Sequence, residues 1–426
     1  MTIIDISSPV FSQLIAPVLP LIDDCESSRR CPELSDSCWL ALGLARCLET
    51  HSSGRAFLQT LASHAPELCP DNAHFFETLK SHRRLRLNRE LNGKLCALAQ
   101  RILPDRLGAF ECLNDFDVYA GDGHAIQHAC HDPRDAKSGA ALAVSHLYTR
   151  NLRTGTLRQL TVADQLQRKK EHDMRALKRT EIDALRHGAR KGRKVLMIWD
   201  RAGIDFHQWF QWKQGSGLYM LSRCKENMEF MVVGTLPYDQ HDPINAGVLA
   251  DEWVSPSTVG VTLRRVRFFD VGTNRTFEFI TNLTDAAVPP GVIAFLYRMR
   301  WDIEKSFDEM KNKLNETKAW ATSATAKNQQ AVFICLTFNL LLLLEQQLAA
   351  QAQLRNKPEE ERRIKRLEKL QFRARKVGAV LPRTLLLAQR STQIGVKFIR
   401  WVATHLWKTV SLQHACVALA ALYARL

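Results

Sequence analysis

The chain has 426 residues, 46% of them hydrophobic, and its 59 Lys and Arg outnumber 44 Asp and Glu to give a formal charge of +15. The apolar content excludes a disordered chain, the length predicts two to four domains, and the charge points to a polyanionic partner. Eleven scattered cysteines with no CxxC pair argue against a zinc site or a disulfide framework and for reduced thiols acting as small core hydrophobes.

Residues 1 to about 108 read as helical, from the apolar spacing of "CWLALGLARCLET" and "ELNGKLCALAQRIL", with the basic stretch "KSHRRLRLNRE" between them. No basic segment precedes the first apolar run, which Pro17 and Pro20 interrupt, so no secretory signal is predicted. From Phe116 the period becomes two: Phe116, Val118, Ala120 and Asp122 share one face of a predicted strand, "FDVYAGDG". "ALAVSHLYTRN" and "LRQLTV" then form a predicted hairpin around Thr154-Gly155. A long basic helix is predicted over about Asp164 to His187, capped by Gly188. The run "KVLMIWDRAG" reads as a strand buried on both faces, with Asp200 at its carboxyl end, where open α/β sheets place functional groups. Residues 217 to 285 are mainly strand-like, a helix follows from about Pro290 to Leu314, and the remainder reads as helical. The apolar stretch Ala331 to Leu344 contains Thr337 and Asn339 and is read as a buried core helix, not a membrane span.

Basic residues cluster in Lys80–Arg101, Leu166–Lys194 and Leu354–Lys376. Each patch alone suits a solvated helix face; three together favour DNA or RNA. On the predicted helix "YRMRWDIEKSFDEMK", a turn of about 100° per residue puts Tyr297, Arg300, Glu304 and Lys311 within an arc of about 60°. Leu296, Met299, Ile303, Phe307, Met310 and Leu314 form an apolar arc beside it. Glu304 thus stands at the edge of a buried face, where a carboxylate needs a cationic partner. An ordinary Arg300–Glu304 pair on a solvated face is the plainer alternative. With Asp122 and Asp200, the chain offers three acids in informative contexts. Three converging carboxylates suit Mg²⁺, and two such ions can drive an in-line phosphodiester displacement.

The spacing Tyr-x2-Arg-x3-Glu-x6-Lys at Tyr297, Arg300, Glu304 and Lys311 resembles the signature of the insertion sequence 4 family of bacterial DDE transposases, as do "AGDG" at Asp122 and "IWDRAG" at Asp200. The resemblance covers roughly Phe116 to Leu344. It implies an α/β chain with an RNase H-like catalytic core interrupted by a β-rich insertion, between helical N- and C-terminal regions. The division expected on that basis is a DNA-binding domain at 1–108, a core split into 109–224 and 289–350, the insertion at 225–288 and a C-terminal region at 351–426. It further implies Asp122, Asp200 and Glu304 as catalytic ligands of two Mg²⁺ or Mn²⁺ ions, with Tyr297, Arg300 and Lys311 on the DNA backbone. The reaction implied is cutting at transposon ends followed by attack of the freed 3′-hydroxyl on target DNA. The partners implied are terminal inverted repeats, target DNA and a second protomer in a synaptic complex, in the cytoplasm and without a membrane.

Arg83, Arg84 and Arg86 are the first candidates for reading the transposon end, and Trp253 is a candidate for stacking a base. His124, His128 and His131 mimic metal-ligand spacing but read as loop histidines; Asp205 reads as a helix N-cap and Asp308 as an exposed acid. The competing functions are an RNase H-like nuclease and a catalytically silent DNA-binding regulator.

Overall fold

The computed structural model describes residues 8–29, 32–49, 53–126, 129, 132, 144–163, 171–257, 260–314, 318–352, 357–386 and 392–424. The N-terminal part is helical: α1 (Pro9–Ile15), α2 (Asp36–Leu48), α3 (Gly54–His64), α4 (Asn72–Thr78) and α5 (His82–Ile102). Ser8, Ser35, Ser53, Asp71 and Ser81 precede them, and each side chain accepts the backbone N–H three residues on. Those caps satisfy donors that the helices cannot use internally. The basic stretch, expected between two helices, is instead the first half of α5. Leu87, Leu91 and Leu95, all fully buried, continue one helical face through it.

A mixed sheet follows, built from β1 (Phe116–Ile126), β2 (Val144–Asn151), β3 (Leu157–Val162), β4 (Lys194–Ile198), β5 (Leu218–Arg223), β6 (Phe230–Thr235), β7 (Val248–Pro256), β8 (Leu263–Asp270) and β9 (Arg275–Thr281). Its order is β3-β2-β1-β4-β5-β9-β8-β7-β6. Strands β1, β4 and β5 are parallel, while β2 and β3 extend one edge as an antiparallel hairpin. On the other side β9 pairs antiparallel with β5, so β6 to β9 continue the same sheet as a meander.

Helices α6 (Asp173–Lys178) and α7 (Ile182–Leu185) lie between β3 and β4, and α8 (Phe206–Ser216) between β4 and β5. The long basic helix expected here is therefore two short ones; Glu181 takes extended backbone angles between them, and 164–170 lie outside the described residues. After the sheet come α9 (Pro290–Met299), α10 (Trp301–Lys313), α11 (Ala324–Ala352), α12 (Lys357–Lys376), α13 (Thr392–His405) and α14 (Leu412–Ala424).

The alternation of β1 and β4 sorts two cores. Phe116, Val118, Ala120, Leu196 and Ile198 pack with α9, α10 and α11 on one face. Tyr119, Val195, Met197 and Trp199 pack with α6, α7 and α8 on the other. Helix α11 is long and apolar enough to cross a membrane, yet most of its apolar stretch is buried within the protein, and its Asn339 side chain accepts the Leu157 N–H at 2.7 Å. It is the buried core helix expected, about twice as long as its apolar centre.

Candidate active site

Strand register brings Asp122 and Asp200 to one place. Ala120 of β1 is level with Ile198 of parallel β4, and each Asp lies two residues beyond its member of that pair. Two residues restore the same face of a strand, here the face packed by α9 and α10. The intervening Trp199, fully buried on the opposite face, explains the glycines around both acids. A Cβ on Gly121 would stand 1.8 Å from the Trp199 ring, and one on Gly203 would stand 2.6 Å from it. The indole thus fills the space left by two absent side chains and ties the ends of β1 and β4 together. Asp200 Oδ1 accepts the Ala202 N–H at 2.8 Å, and its carbonyl accepts Ser222 Oγ at 2.9 Å.

Glu304 arrives from α10. The predicted single helix is broken at Arg300, where the N–H of Arg300 bonds to Tyr297 O and that of Ile303 to Arg300 O, a tighter i to i+3 pattern. The six residues of the predicted apolar arc are all buried. Arg300 Nη2 donates to Glu304 Oε1 at 2.7 Å and its Nη1 donates to Asp122 Oδ2 at 3.1 Å. The partner that Glu304 requires is therefore Arg300, which also spans to the first strand acid. Burial would lower the Arg300 guanidinium, but Tyr297, Asp122 and Glu304 outweigh it and raise it. The Asp122 carboxyl is pushed up to about 6 by burial foremost, against the pull of Arg300 and the Gly123 N–H, with Asp200 and Glu304 adding repulsion. Asp122 is thus the desolvated member of the three, with Asp200 and Glu304 near enough to repel it and one guanidinium between it and Glu304.

Residues that sequence reasoning passed over fix α10 in place. Asp302, buried, accepts Arg106 Nη2 at 2.5 Å and Lys305 Nζ at 2.8 Å. Burial would raise its carboxyl, but Arg150, Arg106 and Lys305 hold it at about 2. Arg150 of β2 also donates to the Ser306 hydroxyl. The available signal was only an acid two positions before Glu304, since its partners lie far away in sequence.

Tyr297 is buried beside Phe279, with ring centroids 4.9 Å apart, and burial raises its hydroxyl. Lys311 is exposed in the last turn of α10. Arg83 donates to Asp36 at 2.9 and 3.0 Å, and Arg84 is buried in contact with the same carboxylate. Of the three N-terminal arginines, Arg86 is the one classed as exposed. Trp253 lies on β7, 38% exposed, away from the three acids and beside Gly234 of β6. His124 stacks on Phe307 with centroids 4.6 Å apart, and His128 and His131 lie outside the described residues. Asp205 caps α8 through the Gln208 N–H at 2.9 Å, and Asp308 is exposed and accepts Asn312 Nδ2 at 2.6 Å.

Residues 119–340, from within β1 to within α11, match the family described as Transposase DDE domain. The chain belongs to this family. Among curated proteins none matches the chain. DDE transposase domains use divalent metals, and the fit here rests on donor chemistry. Among the described residues no three acidic, His or Cys side chains stand grouped as a ready metal cage, and Arg300 stands between Asp122 and Glu304. The donors are nonetheless hard carboxylate oxygens, with Asp200 and Glu304 both close enough to Asp122 to repel it. Such a corner suits a divalent cation with oxygen ligands.

Proposed function

We propose that this member of the DDE family is a cut-and-paste DNA transposase of the insertion sequence 4 type. In this reading Asp122, Asp200 and Glu304 are its catalytic carboxylates. The observation that carries it is the Arg300 guanidinium bonded to both Asp122 and Glu304, with Asp122 and Asp200 each two residues beyond the paired Ala120 and Ile198 of parallel β1 and β4. The order β3-β2-β1-β4-β5, an antiparallel hairpin followed by parallel strands, supports an RNase H-like core. The meander β6 to β9 is then the insertion at 225–288, between a helical DNA-binding domain at 1–108 and a helical region at 351–426.

Two Mg²⁺ or Mn²⁺ ions held by the three carboxylates would supply activation of the attacking oxygen and stabilisation of the leaving one. The carboxylates keep that corner anionic. Arg300, turning from Asp122, binds a phosphate of the strand to be cut. Tyr297 packs beneath it and limits its rotamers, and Lys311 reaches the backbone further along α10. Water attacks the phosphodiester at the transposon end, breaking the P–O3′ bond and freeing a 3′-hydroxyl. That hydroxyl then attacks a phosphodiester of target DNA, forming one bond and breaking another. A second protomer holds the other end in the synaptic complex.

The test is incubation of the purified protein with duplex DNA carrying the terminal repeats that flank its gene, with and without Mg²⁺. Metal-dependent nicking at the repeat end, absent in Glu304→Ala, is the expected result. Equal nicking by both proteins overturns the assignment, and tight binding with no nicking by either favours the regulator.

A further inference from the structure

A cavity of about 1180 Å³ opens beside Asp200, between α9, the β8–β9 hairpin and one face of α12. It exceeds the roughly 300–1,000 Å³ of small-molecule sites. Nine of its lining residues are Arg or Lys and two are Asp. Of those acids, one is Asp200 and the other, Asp270, accepts the Thr273 N–H and hydroxyl within the hairpin turn at 3.0 and 2.7 Å.

The outer wall is cationic without local compensation. Arg366, Lys369 and Arg373 recur at helical spacing, within an arc of about 60° on α12, and all three are exposed. Arg373 donates to Gly272 O at 2.8 Å, which tethers α12 to the hairpin. Among the described residues neither Arg366 nor Lys369 has a hydrogen-bond or ion-pair partner. Across the cavity stands Arg298 of α9, half-buried; burial lowers its guanidinium, Asp270 opposes this, and Arg366 lowers it further. Arg223 lies over the Phe277 ring at 4.7 Å. Like charges folded toward one another across an aromatic-walled channel are the composition of a groove for a single nucleic-acid strand, whose phosphates meet cations while its bases meet ring faces.

We propose that the cationic face of α12 is the outer wall of a channel for single-stranded DNA, in which Arg366, Lys369 and Arg373 hold the backbone of a strand leading to Asp200. This rests on the reading of the chain as a DNA-processing enzyme, and it gives the C-terminal region a substrate contact. The ring faces that line it, from Phe268, Phe277 and Phe279, favour a single strand, since the bases of a duplex are already stacked and paired.

The experiment measures fluorescence anisotropy of a labelled single-stranded oligonucleotide of mixed sequence, and of its duplex, in metal-free buffer over a salt series. Binding is thus read where no cutting occurs, so failure of the carboxylate assignment leaves the result untouched. The variant Arg366→Gln/Lys369→Gln is compared with Lys365→Gln/Arg375→Gln, which removes equal charge from exposed α12 positions that do not line the cavity. All four side chains are exposed, and thermal melts verify that both variants fold. The cavity variant is expected to bind the single strand roughly tenfold more weakly, about threefold per lost phosphate contact, with a log–log salt slope shallower by about 1.4. The control variant, whose two residues lie outside the cavity lining, stays near the wild type. Equal losses in the two variants, no loss in the cavity variant, or a loss confined to the duplex each overturn the proposal.

Discussion

Asp302→Ala tests how α10 is held where Glu304 can serve. The Asp302 side chain is 6% exposed and bonded to Arg106, itself 19% exposed, and to Lys305. Breaking one partner of a fully buried pair costs about 3–5 kcal/mol; the residual exposure of Arg106 places this case at the lower end. The contact with the more exposed Lys305 adds under about 1 kcal/mol. A carboxyl held at about 2 against an ordinary 3.8 independently corresponds to roughly 2.4 kcal/mol favouring the charged form in the fold. Both routes lead to a loss of about 2–4 kcal/mol at neutral pH, measured by urea denaturation with the m-value unchanged. The folded fraction should also nick DNA poorly, because Arg106 no longer anchors the first turn of α10. A loss below about 1 kcal/mol would refute the reasoning and leave α10 held by its apolar face and the Arg150–Ser306 bond.

Gly121→Ala places a methyl 1.8 Å from the Trp199 ring, so the indole or the strand must shift. We expect a destabilisation of about 1–3 kcal/mol and a loss of nicking larger than stability accounts for, part of it restored by Trp199→Leu in the same chain; additive effects would show that the indole does not couple β1 to β4. His146 is fully buried and His187 partly so, and burial pushes both imidazoles down to about 3 from an ordinary 6.5. The folded state therefore favours their neutral forms, so their stability contribution is complete above about pH 6.5 and declines as pH falls toward about 3. The thermal midpoint should drop between pH 7 and pH 5, less steeply in His146→Gln; an equal slope in that variant would exclude His146 as a source.

The parts legible in the sequence are those governed by local periodicity. The period-two run before Asp122, the buried strand before Asp200 and the apolar stripe of α10 each lie within one element, and the structure has them as read. The parts that were not legible depend on partners distant in the chain. Arg84 looks available for DNA in "KSHRRLRLNRE", yet Asp36, 48 residues earlier, holds it inside. The break at Arg300 does not disturb the helical spacing of the stripe, so no pattern announces it. The basic patch of α12 alone suits a solvated helix face, and the hairpin that makes it a cavity wall lies 101 residues away at the Arg373–Gly272 contact. Gly121 and Gly203 sat in the quoted motifs without a reason, which the position of Trp199 supplies.

The central claim is that Asp122, Asp200 and Glu304 together form a divalent-cation site beside which Arg300 engages phosphate. Its most direct test is a crystal of the protein with a short DNA end and Mn²⁺, measured for anomalous scattering. The account predicts manganese peaks within ligand distance, about 2.2 Å, of oxygens from all three carboxylates, with the Arg300 guanidinium turned from Asp122 toward a phosphate. Manganese elsewhere on the complex, with Arg300 still bonded to Asp122 and Glu304, would contradict it.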